Sequence, residues 1–220
     1  DLFNSIKDLT IVSPARWLEK DLQMSYFKDK RIVVINNGID INKFKKAKNE
    51  SKISDKKIIL GVASIWDNRK GLNDFKRIIN ELSDDYIGVV VGLNKNQIRK
   101  LNDRIIGISR TENINELIDL YNNSYLLLNT TLEDTFPTIN IEALACGLPI
   151  ITYNTGGSPE IVGDCGYIVK QHDIKRAVDI IENENFDMAL RSKCIDRANK
   201  LYDKSIMTKN YLNLYLDIFK

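Results

Sequence analysis

The stretch from Thr131 to Glu160, TLEDTFPTINIEALACGLPIITYNTGGSPE, restricts the fold of this chain more than any other. Acidic and turn-forming residues lead into a helical pattern that starts near Pro137 and breaks at Gly147-Leu148-Pro149. The apolar strand Ile150-Ile151-Thr152-Tyr153 follows at once, and the glycines Gly156-Gly157 lead to Ser158-Pro159-Glu160. Proline suits a first helical turn, because its missing N–H would have no partner there anyway. The N–H groups just after it, with the positive end of the helix dipole, make the loop in front of that helix a place for an anion such as phosphate.

The rest of the chain repeats this alternation. Residues 9–12 read as a short strand, and Ser13-Pro14 as a turn into a helix with Trp17, Leu18, Leu22 and Phe27 at helical spacing. The β-branched run 31–35 ends at Asn36-Asn37-Gly38, which predicts an Asn-Gly turn. Residues 45–57 are polar and aperiodic, an exposed connector. Beyond them, strands are predicted at 58–63, 87–91, 104–108, 125–129 and 167–169. Helices are predicted from Gly71, with Leu72, Phe75, Ile78, Ile79 and Leu82 on one face, and over 94–101, 115–122, 174–181, 187–201 and 205–219. Near-continuous apolar strands, each followed by an amphipathic helix, predict an α/β fold: a Rossmann-like parallel sheet with helices on both faces.

In such sheets ligands bind beyond the carboxyl ends of the strands. The loops predicted there, 64–70, 92–94, 109–111, 130–137 and 153–158, carry the polar residues of interest. Asp134 and Glu142 have an acid-x7-acid spacing, the first in a loop and the second just over one turn into a helix. A carboxylate near a helix start also answers the dipole. Arg69-Lys70 precedes a helix, where a basic pair opposes the dipole and calls for solvent or an anion; a diphosphate would suit both side chains. Gly156-Gly157 allows positive φ or close backbone approach. Glu160 fits a first-turn helix carboxylate or a sugar contact. His172, the one histidine, reads as an exposed loop residue, and Asp84-Asp85 as a solvated turn.

The 220 residues, 43% hydrophobic, suffice for one ordinary domain with a piece of another. A net charge of +2, spread over both halves, gives no electrostatic case for nucleic acid. Cys146, Cys165 and Cys194 are far apart and odd in number, so reduced thiols in a cytoplasmic protein are expected rather than disulfides or zinc. No H-E-x-x-H, G-x-S-x-G, paired metal ligands or G-x-G-x-x-G after the strand at Ile58 occurs, so neither a metal nor a nicotinamide cofactor is expected. The start at Asp1-Leu2-Phe3 reads as that of a fragment.

One family shares this set of residues in this order. Asn37-Gly38-Ile39-Asp40, Arg69-Lys70-Gly71, residues 117–121 before a short strand, Glu133-Asp134-x-Phe136-Pro137, the run from Glu142 to Gly147 with Pro149, and Thr155-Gly156-Gly157-x-Pro159-Glu160 together closely resemble the C-terminal half of family 4 retaining glycosyltransferases (glycosyl transferases group 1). The similarity runs from about Asn37 to Val169. It implies a GT-B fold, in which two Rossmann-like domains face across a cleft. Residues 1–30 would be the remnant of the N-terminal acceptor-binding domain and linker, 31–203 the nucleotide-sugar-binding domain, and 204–220 a helix that crosses back.

The resemblance also implies roles. Glu142 would hold the ribose hydroxyls, and Asp134, one methylene shorter than the family's glutamate, would lie near the donor sugar. Phe136, Pro137 and Thr138 would meet sugar and diphosphate through their backbone, Lys70 would bind phosphate, and Ser109, Arg110 and Thr111 would flank the base. The family's arginine five residues before its lysine is replaced by Ile65, and Arg69 stands as its substitute, so Lys70, Arg69 and Asp134 form the implied catalytic group. The implied donor is a nucleoside-diphosphate sugar of UDP or GDP type, with no metal or other cofactor. The implied acceptor is a saccharide or glycolipid bound through the absent N-terminal domain, in bacterial polysaccharide or glycolipid assembly. Peripheral association of the full-length enzyme with the inner face of the membrane stays open. So do two other functions, a GT-B sugar-nucleotide epimerase and a non-catalytic sugar-nucleotide-binding module.

Overall fold

The computed structural model describes residue 3, residues 5–47 and residues 54–219. The chain begins with β1 (Thr10–Ser13), α1 (Arg16–Gln23) and β2 (Arg31–Val34), and β1 pairs with β2 in parallel, Thr10 opposite Arg31. Then follow β3 (Lys57–Val62), a 3-10 turn at Asn68–Lys70, α2 (Leu72–Glu81), β4 (Tyr86–Val91), α3 (Lys95–Ile98), β5 (Ile105–Ile108), α4 (Ile114–Asn123) and β6 (Leu126–Asn129). The chain ends with α5 (Thr138–Ala145), β7 (Ile150–Tyr153), α6 (Ser158–Val162), β8 (Gly166–Val169), α7 (Ile174–Asn183), α8 (Met188–Leu201) and α9 (Lys204–Ile218).

Strands β3 to β8 form one parallel sheet in the order β5-β4-β3-β6-β7-β8, the α/β class expected from the sequence. After Lys57 every residue of β3 is buried, as its unbroken apolar run requires of a strand covered on both faces. Its alternating side chains serve two cores. Ile58, Leu60 and Val62 join Tyr121, Ile141 and Leu144, while Ile59 joins Phe75, Ile78 and Ile79 of α2. The chain runs outward from β3 through β4 to β5, then crosses to the other side of β3 and continues through β6, β7 and β8. The loops leaving β3 and β6 therefore diverge and leave a crevice at the carboxyl ends of these two strands.

Several local expectations need correction. Phe27 is not on the first helix: α1 ends at Gln23, the Ser25 hydroxyl donates to the Leu22 carbonyl at 2.7 Å, and the chain turns away. The strand from Arg31 pairs with β1, so these two strands form a small first unit apart from the six-stranded sheet. Asn37-Gly38 makes no turn. Gly38 is needed instead for close approach, because a Cβ would come within 2.8 Å of the Lys204 Cα. Ile39 forms a bridge to Asp203, and Lys204 pairs with Asp40 at 2.6 Å. The helix predicted over 94–101 is a single turn, α3, closed by reciprocal bonds between Asn94 and Gln97. Just before the connector, Phe44 is buried against Tyr121, and within it the Ala47 N–H donates to Asn122; residues 48–53 lie outside the described residues.

At the far end, α9 lies along the first unit. Arg31 at the start of β2 pairs with Asp217 at 2.6 Å, and the Gly38 N–H meets the Met207 sulfur.

Candidate active site

The crevice at the ends of β3 and β6 holds a cavity of about 690 Å³, a size that suits a bound small molecule. One end is walled by Val62, Ala63 and Ser64 leaving β3, Gly92 after β4, and Ser109, Arg110 and Thr111 after β5. The other end holds Lys70, Asp134 and the start of α5 at Phe136, Pro137 and Thr138. Glu142 lies on the same wall, one turn further into α5.

Pro137 stands one position earlier than expected, as the N-cap of α5 and not within its first turn. It contributes no side-chain cap, and the first turn holds no acidic residue. The first N–H groups of a helix have no intrahelical partners, so the cavity meets an uncompensated positive helix end.

Across from it, Lys70 Nζ lies 2.7 Å from Asp134 Oδ2, with the two side chains 24% and 21% exposed. The backbones beneath this pair are tied together. The Leu132 N–H donates to the Arg69 carbonyl at 2.6 Å, and the Thr130 hydroxyl donates to the Gly71 carbonyl at 3.0 Å. Behind the acidic loop, the Gly157 N–H donates to the Thr135 carbonyl, and Gly156 adopts φ 49° where a Cβ would meet the Asp134 carbonyl oxygen at 1.8 Å. The Gln171 amide donates to the Leu132 carbonyl at 2.9 Å and to the Thr155 hydroxyl at 2.8 Å, bracing the loop from β8.

Glu142 accepts a bond from the Tyr121 hydroxyl at 2.9 Å. Burial raises its carboxyl above the ordinary 4.5, and the Tyr121 hydroxyl partly opposes that rise. A carboxyl whose folded value is raised adds stability below its unfolded value and loses it as pH rises through the folded one. The ionised Glu142 therefore weakens the fold near neutral pH. Glu142→Gln keeps an acceptor for Tyr121 without the charge, so we expect it to raise the melting temperature at neutral pH. The difference should shrink as the pH falls below the carboxylate range, which thermal denaturation across pH would show.

Lys70, Asp134, Glu142, Phe136, Pro137, Thr138, Ser109, Arg110 and Thr111 thus border one cavity. Arg69 does not. Asp67 accepts bonds from its guanidinium at 3.0 and 2.7 Å and from its N–H, capping the 3-10 turn, and these contacts hold Arg69 above the usual guanidinium range and Asp67 below the usual carboxylate range. Arg69 opens onto a neighbouring depression with Trp17 and Glu133. Ile65 is also on the surface, 71% exposed.

Sequence reasoning missed Leu117 and Ile139, which line the cavity from α4 and α5, and the role of Tyr121. Leu117 and Tyr121 belong to the run that carries the family resemblance, but as ordinary members of helix faces none of the three shows a site role until the helices are packed. Glu160 lies in the first turn of α6, as one reading of the sequence had it, but its side chain also serves a distant element. Its carboxylate accepts the N–H groups of Arg16 and Trp17 at 2.9 and 2.6 Å and so caps α1 from across the molecule. The exposed His172 also has a fixed place: with φ 65°, its Nδ1 lies 2.7 Å from buried Asp74, which accepts the Tyr153 hydroxyl at 2.8 Å.

Among the described residues, no three His, Cys, Asp or Glu side chains converge as a metal site, and no helix is long and apolar enough to cross a membrane. The three cysteines are buried and unbridged.

The family model described as "Glycosyl transferases group 1" matches residues 42–201. Among curated proteins, the N-acetyl-alpha-D-glucosaminyl L-malate synthase of Bacillus anthracis is 25% identical over 220 residues, covering 91% of this chain and 55% of that protein. The chain spans about half the length of the curated relatives it matches. Among solved structures, a glycosyltransferase from Rickettsia africae matches with a TM-score of 0.87 at 19% identity, over 100% of this chain and 66% of its own. Anabaena HepE in complex with UDP and glucose matches with a TM-score of 0.81 at 18% identity, over 97% and 64%.

Proposed function

The chain belongs to the glycosyl transferases group 1 family, and from that premise we propose that it is the donor-binding, C-terminal half of a family 4 retaining glycosyltransferase. The donor is a nucleoside-diphosphate sugar of UDP or GDP type, and transfer needs no metal. One observation carries this reading: Lys70, the uncapped start of α5 and the half-buried carboxylate of Glu142 meet in a single cavity at the switch point of the sheet. A cation, a positive helix end and a hydroxyl-accepting carboxylate are what a diphosphate followed by a ribose would require.

In this reading the nucleobase lies at the Ser109–Thr111 end, the ribose hydroxyls donate to Glu142, and the diphosphate lies between Lys70 and the start of α5. When the bond between the sugar's anomeric carbon and the phosphate oxygen breaks, charge gathers on that oxygen. Lys70 and the N–H groups after Pro137 stabilise it because they are already in place. The acceptor oxygen forms its bond to the anomeric carbon from the face the phosphate leaves, and the acceptor's proton passes to the leaving phosphate. Arg69, bound to Asp67, acts as a support of the 3-10 turn. Residues 1–30, with β2, close the acceptor-binding domain of a longer protein, and 204–220 is the helix returning to it. That protein works in the cytoplasm on a saccharide or glycolipid acceptor at the membrane surface. The B. anthracis relative and the R. africae neighbour are named as a synthase and a glycosyltransferase, which does not favour an epimerase.

Calorimetric titration of the chain with UDP and GDP tests the reading. We expect heat of binding for at least one nucleotide at millimolar concentration and no sugar transfer by the chain alone; no binding of either would sink it.

A further inference from the structure

We propose that Asp134 lets this site distinguish a sugar-loaded nucleoside diphosphate from the bare nucleotide left after transfer, by competing with phosphate for Lys70. The proposal rests on the donor-site reading above. Asp134 lies 2.7 Å from Lys70 Nζ, in a pair only about a quarter exposed, at the end of the cavity where the diphosphate is placed. The main chain cannot separate the two. On one side the Arg69 carbonyl is held by the Leu132 N–H. On the other, Gly156 is packed against the Asp134 carbonyl, and the Trp17 indole N–H donates to the next carbonyl, that of Thr135, at 2.8 Å. Any exchange of partners is therefore made by the side chains alone.

The two ligands treat this pair differently. A phosphate that takes Lys70 removes the partner of Asp134 and places a like charge near it. With a sugar attached, hydroxyls can donate to the freed carboxylate, and bonds to a charged acceptor are the stronger kind. The bare nucleotide offers no hydroxyl there, and its terminal phosphate carries more negative charge. Asp134 therefore weakens binding of the spent nucleotide more than that of the donor, which favours release once the sugar has left. The shorter side chain serves this well, because it reaches Lys70 while its backbone stays pinned.

The test is calorimetric titration of the wild-type chain, Asp134→Asn, Lys70→Met and the double variant with UDP, UDP-glucose, GDP and GDP-mannose. For the base that the wild type binds, Asp134→Asn should tighten the bare nucleotide by about fivefold, the scale of a partly exposed ion pair. The sugar nucleotide should stay unchanged or weaken, and the gain should largely vanish in the Lys70→Met background. Bare-nucleotide affinity that is unchanged or lower, an equal gain for both ligands, or an equal gain without Lys70 would each overturn the proposal. A wild type that binds none of the four overturns the donor-site reading and this proposal with it. Wild-type binding that Asp134→Asn does not tighten overturns this proposal alone.

Discussion

Glu142→Ala is expected to weaken nucleoside diphosphate binding by about two orders of magnitude, the largest loss from any single side chain in the site. A carboxylate that accepts two ribose hydroxyls makes charge-assisted bonds worth about 1.5–3 kcal/mol each, and losing about 3 kcal/mol is a hundredfold in affinity. Glu142 suits this because its carboxylate is already held by Tyr121 and largely withdrawn from water, so little ordering is needed on binding. The alanine variant also leaves the fully buried Tyr121 hydroxyl without its acceptor. Glu142→Gln, which keeps that acceptor, separates binding from folding and should fall between the two. Asp134→Ala should cause no comparable loss of nucleotide affinity, since Asp134 faces Lys70 and not the ribose wall. Calorimetry on the three variants decides the matter, and equal losses for Glu142→Ala and Asp134→Ala would remove the ribose role.

The second large effect is on stability. Gly71→Ala is expected to lower it by about 3 kcal/mol, since a left-handed backbone and a forced backbone shift each cost on the order of 1–3 kcal/mol. Gly71 joins the 3-10 turn to α2 at φ 70° and ψ 30°, a conformation that L side chains resist. An added Cβ would lie 2.1 Å from the Thr130 carbonyl oxygen, which is backbone and cannot rotate away. For a chain of this size the loss corresponds to a fall in melting temperature of about 6–12 °C. The clash would also push apart the two loops that carry Lys70 and Asp134, so affinity should fall with stability. Thermal denaturation followed by circular dichroism checks the first effect, and a melting temperature within about 2 °C of wild type would contradict the strain.

Much of this was legible from residues alone. The strands at 58–63, 87–91 and 150–153 declare themselves by unbroken apolar runs, and α2 by Phe75, Ile78 and Ile79 at helical spacing. Local chemistry also put Lys70, Asp134 and Glu142 on strand-end loops and a helix start. Readings that depended on distant neighbours were corrected. Gly38 looked like a turn glycine because its reason, the backbone of Lys204, is far away in sequence. Glu160 is the first-turn carboxylate that its sequence suggested, yet it also caps a helix that precedes it by more than a hundred residues, which nothing near it in sequence announces. Adjacent in sequence, Arg69 and Lys70 looked like one phosphate clamp, but the 3-10 turn sends one side chain to Asp67 and the other into the cavity.

By itself, then, the sequence determined that this chain is a parallel α/β domain with a helix starting at Pro137 and two carboxylates at a family spacing. Periodicity, proline and glycine placement and local charge act over a few residues and can be read in order along the chain. Only the tertiary structure decided that Lys70 holds Asp134, that Tyr121 holds Glu142, and that Arg69 stands outside the cavity. Those partnerships join residues far apart in sequence and depend on the strand order, which sets β6 beside β3 and brings their loops to one crevice.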